Sequence, residues 1–332
     1  MIGGDEKEFF VGADAEAKRD ELKINYPIEK GWVKNWDGME KIWWHIFTNK
    51  LKVAPEEHNV FLTQDPTNPK ANKEKTTQIM IETFNVPGFY IAQEVNLPIY
   101  AYGKFTGMTI DLGYSLSHFM PIYDGYSIIK AYLWSDFAGK DLTEFMKTLL
   151  QDSAQKFLNP NERDFIDIIK EKSCYVALDF EEELKSVEPF NYELPDGKHV
   201  IIKDERIKYP EVLFRPSMIE KEGDIVQKCH DSIQKCMRNF RVSIIKDLYN
   251  CIVLSGGTSM FNGLPKRLTK EFKALVPESM KEEVKVNSSP DRKFAAWIGG
   301  SIESSISTFQ DKWITKEEYE ETGATIVHKK CE

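Results

Sequence analysis

The segment CIVLSGGTSMFNG, Cys251–Gly263, sets the architecture. Cys251-Ile252-Val253-Leu254 is an apolar run of strand length, and Ser255-Gly256-Gly257 ends it in a turn. A second unit of the same kind lies upstream, where Met108 and Ile110 lead into Asp111-Leu112-Gly113. Strand ends are where ligands usually bind in α/β proteins. Glycine matters there because a missing Cβ lets backbone N–H groups approach phosphate oxygens closely. A carboxylate at a strand end, here Asp111, suits a hydrated Mg²⁺ that keeps most of its waters. Either turn alone is also what an ordinary strand-to-loop glycine looks like; two together point more strongly to phosphate.

Working outward, helices alternate with these strands. Met39, Ile42, Trp43, Ile46 and Phe47 repeat at helical spacing behind an Asn35 cap. Leu142, Phe145, Met146, Leu149 and Leu150 repeat the template, with Asp141 and Glu144 three apart at its start as in a capping-box variant. A third helix is expected from about Asn161 through Tyr175, and a fourth over Ile233, Cys236, Met237 and Phe240. These stripes read as core faces. Val60-Phe61-Leu62 and His199-Val200-Ile201-Ile202 read as strands, the latter after a turn at Leu194-Pro195-Asp196-Gly197. The polar stretch Thr63–Thr77, with Pro66, Pro69 and several lysines, reads as a loop. The class is therefore α/β.

Composition narrows the function. With 332 residues the chain has the length of two domains, and 44 Lys+Arg against 53 Asp+Glu give a formal charge of −9. That balance argues against nucleic acid as a primary partner, which would ask for a basic face. No apolar run is long enough to span a membrane, and MIGGDEKEFF lacks the features of a signal peptide. The five cysteines form no CxxC pair and no zinc spacing, which fits a reduced, cytosolic chain. His118, after the first glycine turn, is either a hydrogen-bonded structural histidine or part of a proton relay. Glu94 sits near the end of a helical stretch and by itself reads as a surface carboxylate, as Lys170 and Glu171 read as a solvated helix face.

Longer segments carry a resemblance. Val53–Asn85, Lys170–Leu184 (KEKSCYVALDFEEEL), Tyr192–Gly197 (YELPDG), Ile252–Gly263, Trp297–Ile302 (WIGGSI) and Trp313–Cys331 resemble actin, collinearly and over nearly the whole chain. The resemblance implies an α/β, actin-like two-domain ATPase fold with a nucleotide cleft between the domains. The small domain would comprise residues 1–101 and 295–332, and the large domain residues 102–294. Fold alone does not give function, since sugar kinases and some chaperones share it.

Carried over residue by residue, the family's second phosphate loop falls on Asp111-Leu112-Gly113-Tyr114-Ser115-Leu116. Asp111 would hold the cation through water, and Gly113, Tyr114, Ser115 and Leu116 would face phosphate. Tyr114 and Ser115 replace the family's aspartate and glycine. On the adenosine side Gly139, Lys170, Glu171, Gly256, Gly257, Met260 and Lys293 match, and Phe261 stands for an aromatic residue. The family's arginine one turn before Lys170 is Asp167 here. Glu94 aligns with the glutamine that orients the attacking water, and His118 with the histidine of the same water network. Glu94, Asp111 and His118 are thus the expected catalytic residues. The phosphate-sensing histidine aligns with Lys30 and the phosphate-exit arginine with Trp134.

Met1-Ile2-Gly3 aligns inside the family's subunit-contact loop, so the resemblance leads to the expectation that the first phosphate-loop hairpin is missing. About three lost phosphate contacts would cost roughly 4–9 kcal/mol, about three to six decades in Kd. ATP or ADP with Mg²⁺ is then expected to bind weakly and to be hydrolysed slowly or not at all. The family's apolar plug segment appears as Met218–Ile225, with Glu220, Lys221, Glu222 and Asp224, and the terminal aromatic is Glu332. Charges there make burial against a neighbouring subunit expensive, so stable self-polymerisation is not expected. The implied role is a cytoplasmic, cytoskeletal protein whose partners are actin or actin-binding proteins, contributing to filaments or modulating them. The alternatives are a non-catalytic actin-related scaffold subunit, or a sequence beginning at an internal methionine of a conventional ATP-hydrolysing actin.

Overall fold

The computed structural model describes residues 9–19, 21–152, 163–193, 197, 199–237 and 242–331. The chain divides into two compact units, Met1–Gln93 with Ser304–Glu332, and Glu94–Glu303.

In the first unit the Trp36–His45 helix (α1) starts at Asn35, whose side chain accepts from the Gly38 N–H at 3.0 Å, as the sequence leads one to expect. Its apolar stripe buries Met39 and Trp43, and the following turn buries Phe47. Trp43 and Phe47 meet the Phe84 ring at 6.4 and 5.3 Å. Strand β1, Val60–Gln64, pairs in parallel with β2, Gly88–Gln93, and Ile314–Thr315 adds an antiparallel strand on the other side of β2. Tyr90, Phe309 and Trp313 meet edge-to-face in an aromatic cluster, with centroids 4.9 and 5.0 Å apart. The Ile91 N–H points at the buried Cys331 thiol.

The polar stretch Thr63–Thr77 is not a loop throughout. After β1 it forms a helix, α2, at Lys70–Gln78. Its inward positions include Thr76 and Thr77, both buried, so the core face carries hydroxyls where a periodicity reading looks for leucine. Thr77 donates to the Lys73 carbonyl at 2.8 Å, which satisfies its hydroxyl inside the helix.

The second unit is built on a six-stranded sheet. Its spatial order is Val286–Asn287, β5 (Ile252–Ser255), β3 (Gly107–Leu112), β4 (Ser117–Tyr123) and Tyr126–Ser127, with Leu133–Ser135 also pairing β4. β5 runs parallel to β3, and β3 antiparallel to β4. All four β5 residues are buried, which explains why that run shows no polar alternation. Helices α3 (Gly139–Asp152), α4 (Arg163–Ser173), α5 (Glu205–Glu211) and α6 (Ile225–Met237) contribute Leu142, Met146, Ile166, Ile169, Tyr209, Cys229 and Ile233 to the same core as Met108, Ile110 and Leu254. On the other side of the sheet, Val95 and Ile99 pack with Met120, Ile122 and Val253.

Two details differ from the sequence reading of the helices. Asp141 is the third residue of α3 and accepts from the Ala138 N–H at 3.1 Å, so it caps backward and Glu144 lies beyond the cap. The third helix starts at Arg163, Asn161 lying outside the described residues along with Phe240, Leu194, Pro195, Asp196 and Glu332. All five cysteines are buried free thiols.

Candidate functional site

Both glycine turns leave the sheet at neighbouring places, because β3 and β5 are parallel partners with Asp111 opposite Ser255. The Gly113 N–H bonds the Leu116 carbonyl at 3.0 Å and closes the turn between β3 and β4. The Gly113 carbonyl accepts from the Thr258 hydroxyl at 2.8 Å and from the Gly139 N–H at 3.1 Å. The Lys140 N–H then bonds the Tyr114 carbonyl at 2.7 Å. Two turns and the start of α3 are thereby tied into one frame.

Within this frame Gly256 and Gly257 have different tasks. Gly256 has φ of +85°, and a Cβ on it would lie 2.3 Å from the Leu112 carbonyl oxygen. It is needed so that β5 can turn against β3. A Cβ on Gly257 would meet nothing within 4 Å, because that face opens on a cleft.

The cleft has a volume of about 520 Å³, within the range that holds small ligands. One wall is the Gly257–Phe261 turn, from which Gly257, Met260 and Phe261 face the space. The opposite wall is the end of α4, from which Lys170 and Glu171 line the space. Of the expected residues, Tyr114, Gly139 and Lys293 also line it. Lys170 donates to the Thr143 hydroxyl at 2.8 Å and is ion-paired with Asp167 on its own helix. The cation beside the cleft therefore has a partner within the protein.

The floor is the part that sequence reasoning missed: Cys174, Tyr209, Thr258 and Asn262 line the cleft too. Tyr209 is 1% exposed, and the Phe261 ring meets it edge-on at 5.6 Å. Burial pushes the Tyr209 hydroxyl well above its usual range and the Cys174 thiol up to about 12, so both are neutral floor groups. Thr258 and Asn262 could have been noticed from their place beside the glycine pair; no spacing rule reaches Tyr209, which arrives from α5. The turn bearing Lys293 is fixed by Arg292, whose guanidinium donates to the Ser259 and Ser289 carbonyls at 3.0 and 2.8 Å.

The other expected site residues are not on the cleft lining. Leu116 is buried at the start of the β4 hairpin arm and Gly256 packs on Leu112. Gly113 and Ser115 are half-buried in the turn. Asp111, at the end of β3, faces His118 in register across β3 and β4. Glu94 does not end a helix; it follows strand β2 and opens a short helical turn, Glu94–Asn96. This places its carboxylate Oε1 3.6 Å from His118 Nε2. His118 is 2% exposed, and its Nδ1 lies 2.7 Å from the Tyr132 hydroxyl. The two rings stack at 17° with centroids 6.0 Å apart.

The Actin family model matches residues 2–332 of this chain. The chain belongs to the actin family. As an actin-family member it carries the mixed α/β architecture described above, and none of its described helices is long and apolar enough to cross a membrane. The plug-aligned segment of this family member also has a defined local structure. Pro216–Ile219 forms a helical turn, and Glu220 takes a left-handed conformation at φ 57°. Lys221 lies 3.9 and 3.8 Å from the carboxylates of Asp136 and Asp141. Asp224 caps α6, accepting from the Val226 and Gln227 N–H groups at 2.9 and 2.8 Å.

Proposed function

We propose that this actin-family protein binds an adenine nucleotide with Mg²⁺ through the cleft of its second unit, weakly, and acts on actin filaments as a partner or modulator in the cytoplasmic cytoskeleton. The observation that carries the reading is the open face of Gly257 opposite Lys170 and Glu171, on a frame held by the Gly113–Thr258–Gly139 hydrogen bonds. The donor set suits the ligand: Phe261 and Met260 offer an apolar surface for a base, and Glu171 a carboxylate for hydroxyl or amino donors. Gly257 allows close approach of the backbone, while Gly139 lets α3 pack on Thr258 and the Gly113 turn. Asp111 is a single hard oxygen donor at a strand end, enough for a cation that retains its waters.

Bound Mg·ATP would supply the anhydride and the charge neutralisation that phosphoryl transfer needs. The residues of this chain then divide the remaining work. Lys170, Glu171, Gly257, Met260, Phe261 and Lys293 hold the nucleoside, and Gly113, Tyr114 and Ser115 border the phosphates. Glu94 takes a proton from water, with His118 behind it. Two substitutions weaken binding. Tyr114 brings no carboxylate to the hydrated cation, and Asp167 puts an anion where the family has an arginine. One charge-assisted bond lost at each, at about 1.5–3 kcal/mol, lowers affinity by roughly two to four decades. Hydrolysis is slow, because a second anion at Glu94 repels the phosphates it serves.

Titration calorimetry of the full chain with Mg·ATP, Mg·ADP and adenosine tests the reading. Micromolar or weaker binding that E171A and G257V both abolish is the expected result. Nanomolar ATP affinity, or binding unaffected by either substitution, would overturn it.

A further inference from the structure

His118 lies between two oxygens of different character, and that asymmetry fixes where its proton sits. The Glu94 carboxylate faces Nε2 at 3.6 Å and can only accept, whereas the Tyr132 hydroxyl lies 2.7 Å from Nδ1 and can donate or accept. A neutral imidazole carries one N–H. With the proton on Nδ1, the bare Nε2 lone pair would point at a carboxylate. With the proton on Nε2, an N–H dipole points at that charge instead, and Nδ1 is free to accept the tyrosine O–H. The second arrangement sets a donor toward each acceptor; the first sets the lone pair of an imidazole only 2% exposed against a partly exposed carboxylate.

The backbone makes the arrangement stiff. His118 is in the interior of β4, opposite Asp111 on one side and Trp134 on the other. Tyr132 stands just before the Leu133–Ser135 strand, at the end of the Ile129–Ala131 turn. Neighbouring pairing of Trp134 with His118 thus carries Tyr132 to the imidazole, and the near-parallel stacking of the rings limits rotation of either. Glu94 arrives from the opposite direction, on the turn that follows β2.

We propose that Tyr132 is a positioning residue that holds His118 in its Nε2–H tautomer, so that His118 offers Glu94 a donor rather than a base, and the Glu94 carboxylate is the proton acceptor of the site. The role of Glu94 rests on the nucleotide reading given above; the tautomer does not. His118 acting as the base would require a bare Nε2, which this geometry disfavours. Tyr132 therefore determines which of the two candidate bases accepts a proton from water.

The test uses the full chain labelled with ¹⁵N-histidine, without nucleotide, at a pH of about 8 where imidazole is neutral. Long-range ¹H–¹⁵N correlation identifies the protonated nitrogen, and H118Q assigns the His118 signals by their loss. The expected wild-type pattern is a proton on Nε2 and an Nδ1 resonance shifted upfield by an accepted hydrogen bond. Tyr132→Phe keeps the ring and removes the donor, so Nδ1 moves downfield toward an unbonded nitrogen. A wild-type proton on Nδ1, or an Nδ1 shift unchanged in Y132F, would overturn the proposal. The wild-type spectrum decides the matter even if Y132F fails to fold. With Mg·ATP added, a fall in kcat for Y132F at unchanged KM supports the assignment of Glu94. No detectable ATP binding together with the Nε2–H pattern would remove the nucleotide reading and leave the tautomer assignment standing.

Discussion

Gly256 and Gly257 are adjacent in the chain, yet substitution at each should fail in a different experiment. Gly256→Ala places a methyl 2.3 Å from the Leu112 carbonyl oxygen, and 2.6 Å from its carbon, where real Cβ atoms are not found. These are backbone atoms of the central strand β3, so no side chain can swing away. Forcing such a contact costs about 1–3 kcal/mol in overpacking, and the left-handed φ of 85° adds about 1–2 kcal/mol for a residue with a Cβ. The expected loss is roughly 2–5 kcal/mol, enough to unfold a large share of a marginally stable unit. Gly257→Val meets open space instead, so its stability should stay within about 0.5 kcal/mol of the wild type. Its side chain projects into the cleft and should lower nucleotide affinity at least tenfold. Urea denaturation followed by tryptophan fluorescence, paired with titration of a fluorescent ATP analogue, separates the two effects. If G256A unfolded at the wild-type midpoint, or if G257V bound nucleotide normally, the division of labour between the glycines would be wrong.

Arg267→Ala should destabilise the second unit by up to about 3 kcal/mol, because it removes the guanidinium that grips buried Glu211 at 3.1 Å through two nitrogens and leaves the carboxylate only Arg215 Nε at 3.2 Å; a melt as cooperative and as late as the wild type's would refute this. His230 is pulled below its usual 6.5 by burial against Tyr249, whose hydroxyl is 2.6 Å from Nδ1, so the folded state prefers the neutral ring. Its contribution to stability is full above about pH 6.5 and is lost as pH falls through the folded value; the urea midpoints of wild type and H230Q should therefore converge between pH 7.5 and 5.5, and parallel curves would count against it. In sedimentation with Mg²⁺ and ATP the pure protein should stay in the supernatant and pellet only with conventional actin, since Lys221 and Asp224 are engaged within their own unit and Glu220 and Glu222 add two more carboxyl groups to the segment; regular filaments of the pure protein would defeat this.

What could be read from the sequence is what lies within a few residues. The Asn35 cap, the apolar stripe of α1 and the strand-to-glycine turns at Asp111–Gly113 and Ser255–Gly257 are local patterns with one physical solution. The helix α2 escaped because its core face uses Thr76 and Thr77, whose hydroxyls look polar in a list and are buried in the fold. Glu94 reads in sequence as the end of a helical stretch; only pairing of β2 with β1 shows that a strand delivers it. The cleft floor was out of reach for another reason. Cys174 follows the end of α4 and Tyr209 lies on α5, and their meeting depends on how α4 and α5 pack on one core. Tyr132 belongs with them: a tyrosine fourteen residues from a histidine has no signature until the β4 pairing of Trp134 fixes the register.

Three of the departures from the resemblance, all at charged positions, act in one direction. By the resemblance, Asp167, Trp134 and Glu94 each remove a positive charge or add a negative one, whereas Tyr114 and Lys30 act in the opposite sense. Lys170, the cation that remains on the α4 wall, is already paired with Asp167. A ligand with fewer negative charges gains least from the cations that are gone and suffers least from the carboxylates that were added. By the resemblance, apolar and hydrogen-bonding groups show no such drift at Gly139, Glu171, Gly257 and Met260, all on the cleft lining, and Phe261 is an aromatic ring packed on Tyr209. Selection for turnover would act on the charged end of the cleft, where transition-state charge develops. Selection for a folded, nucleotide-stabilised unit needs only the nucleoside end, since any ligand that prefers the folded state stabilises it by mass action. The pattern of retained and altered residues in this chain fits the second demand better than the first.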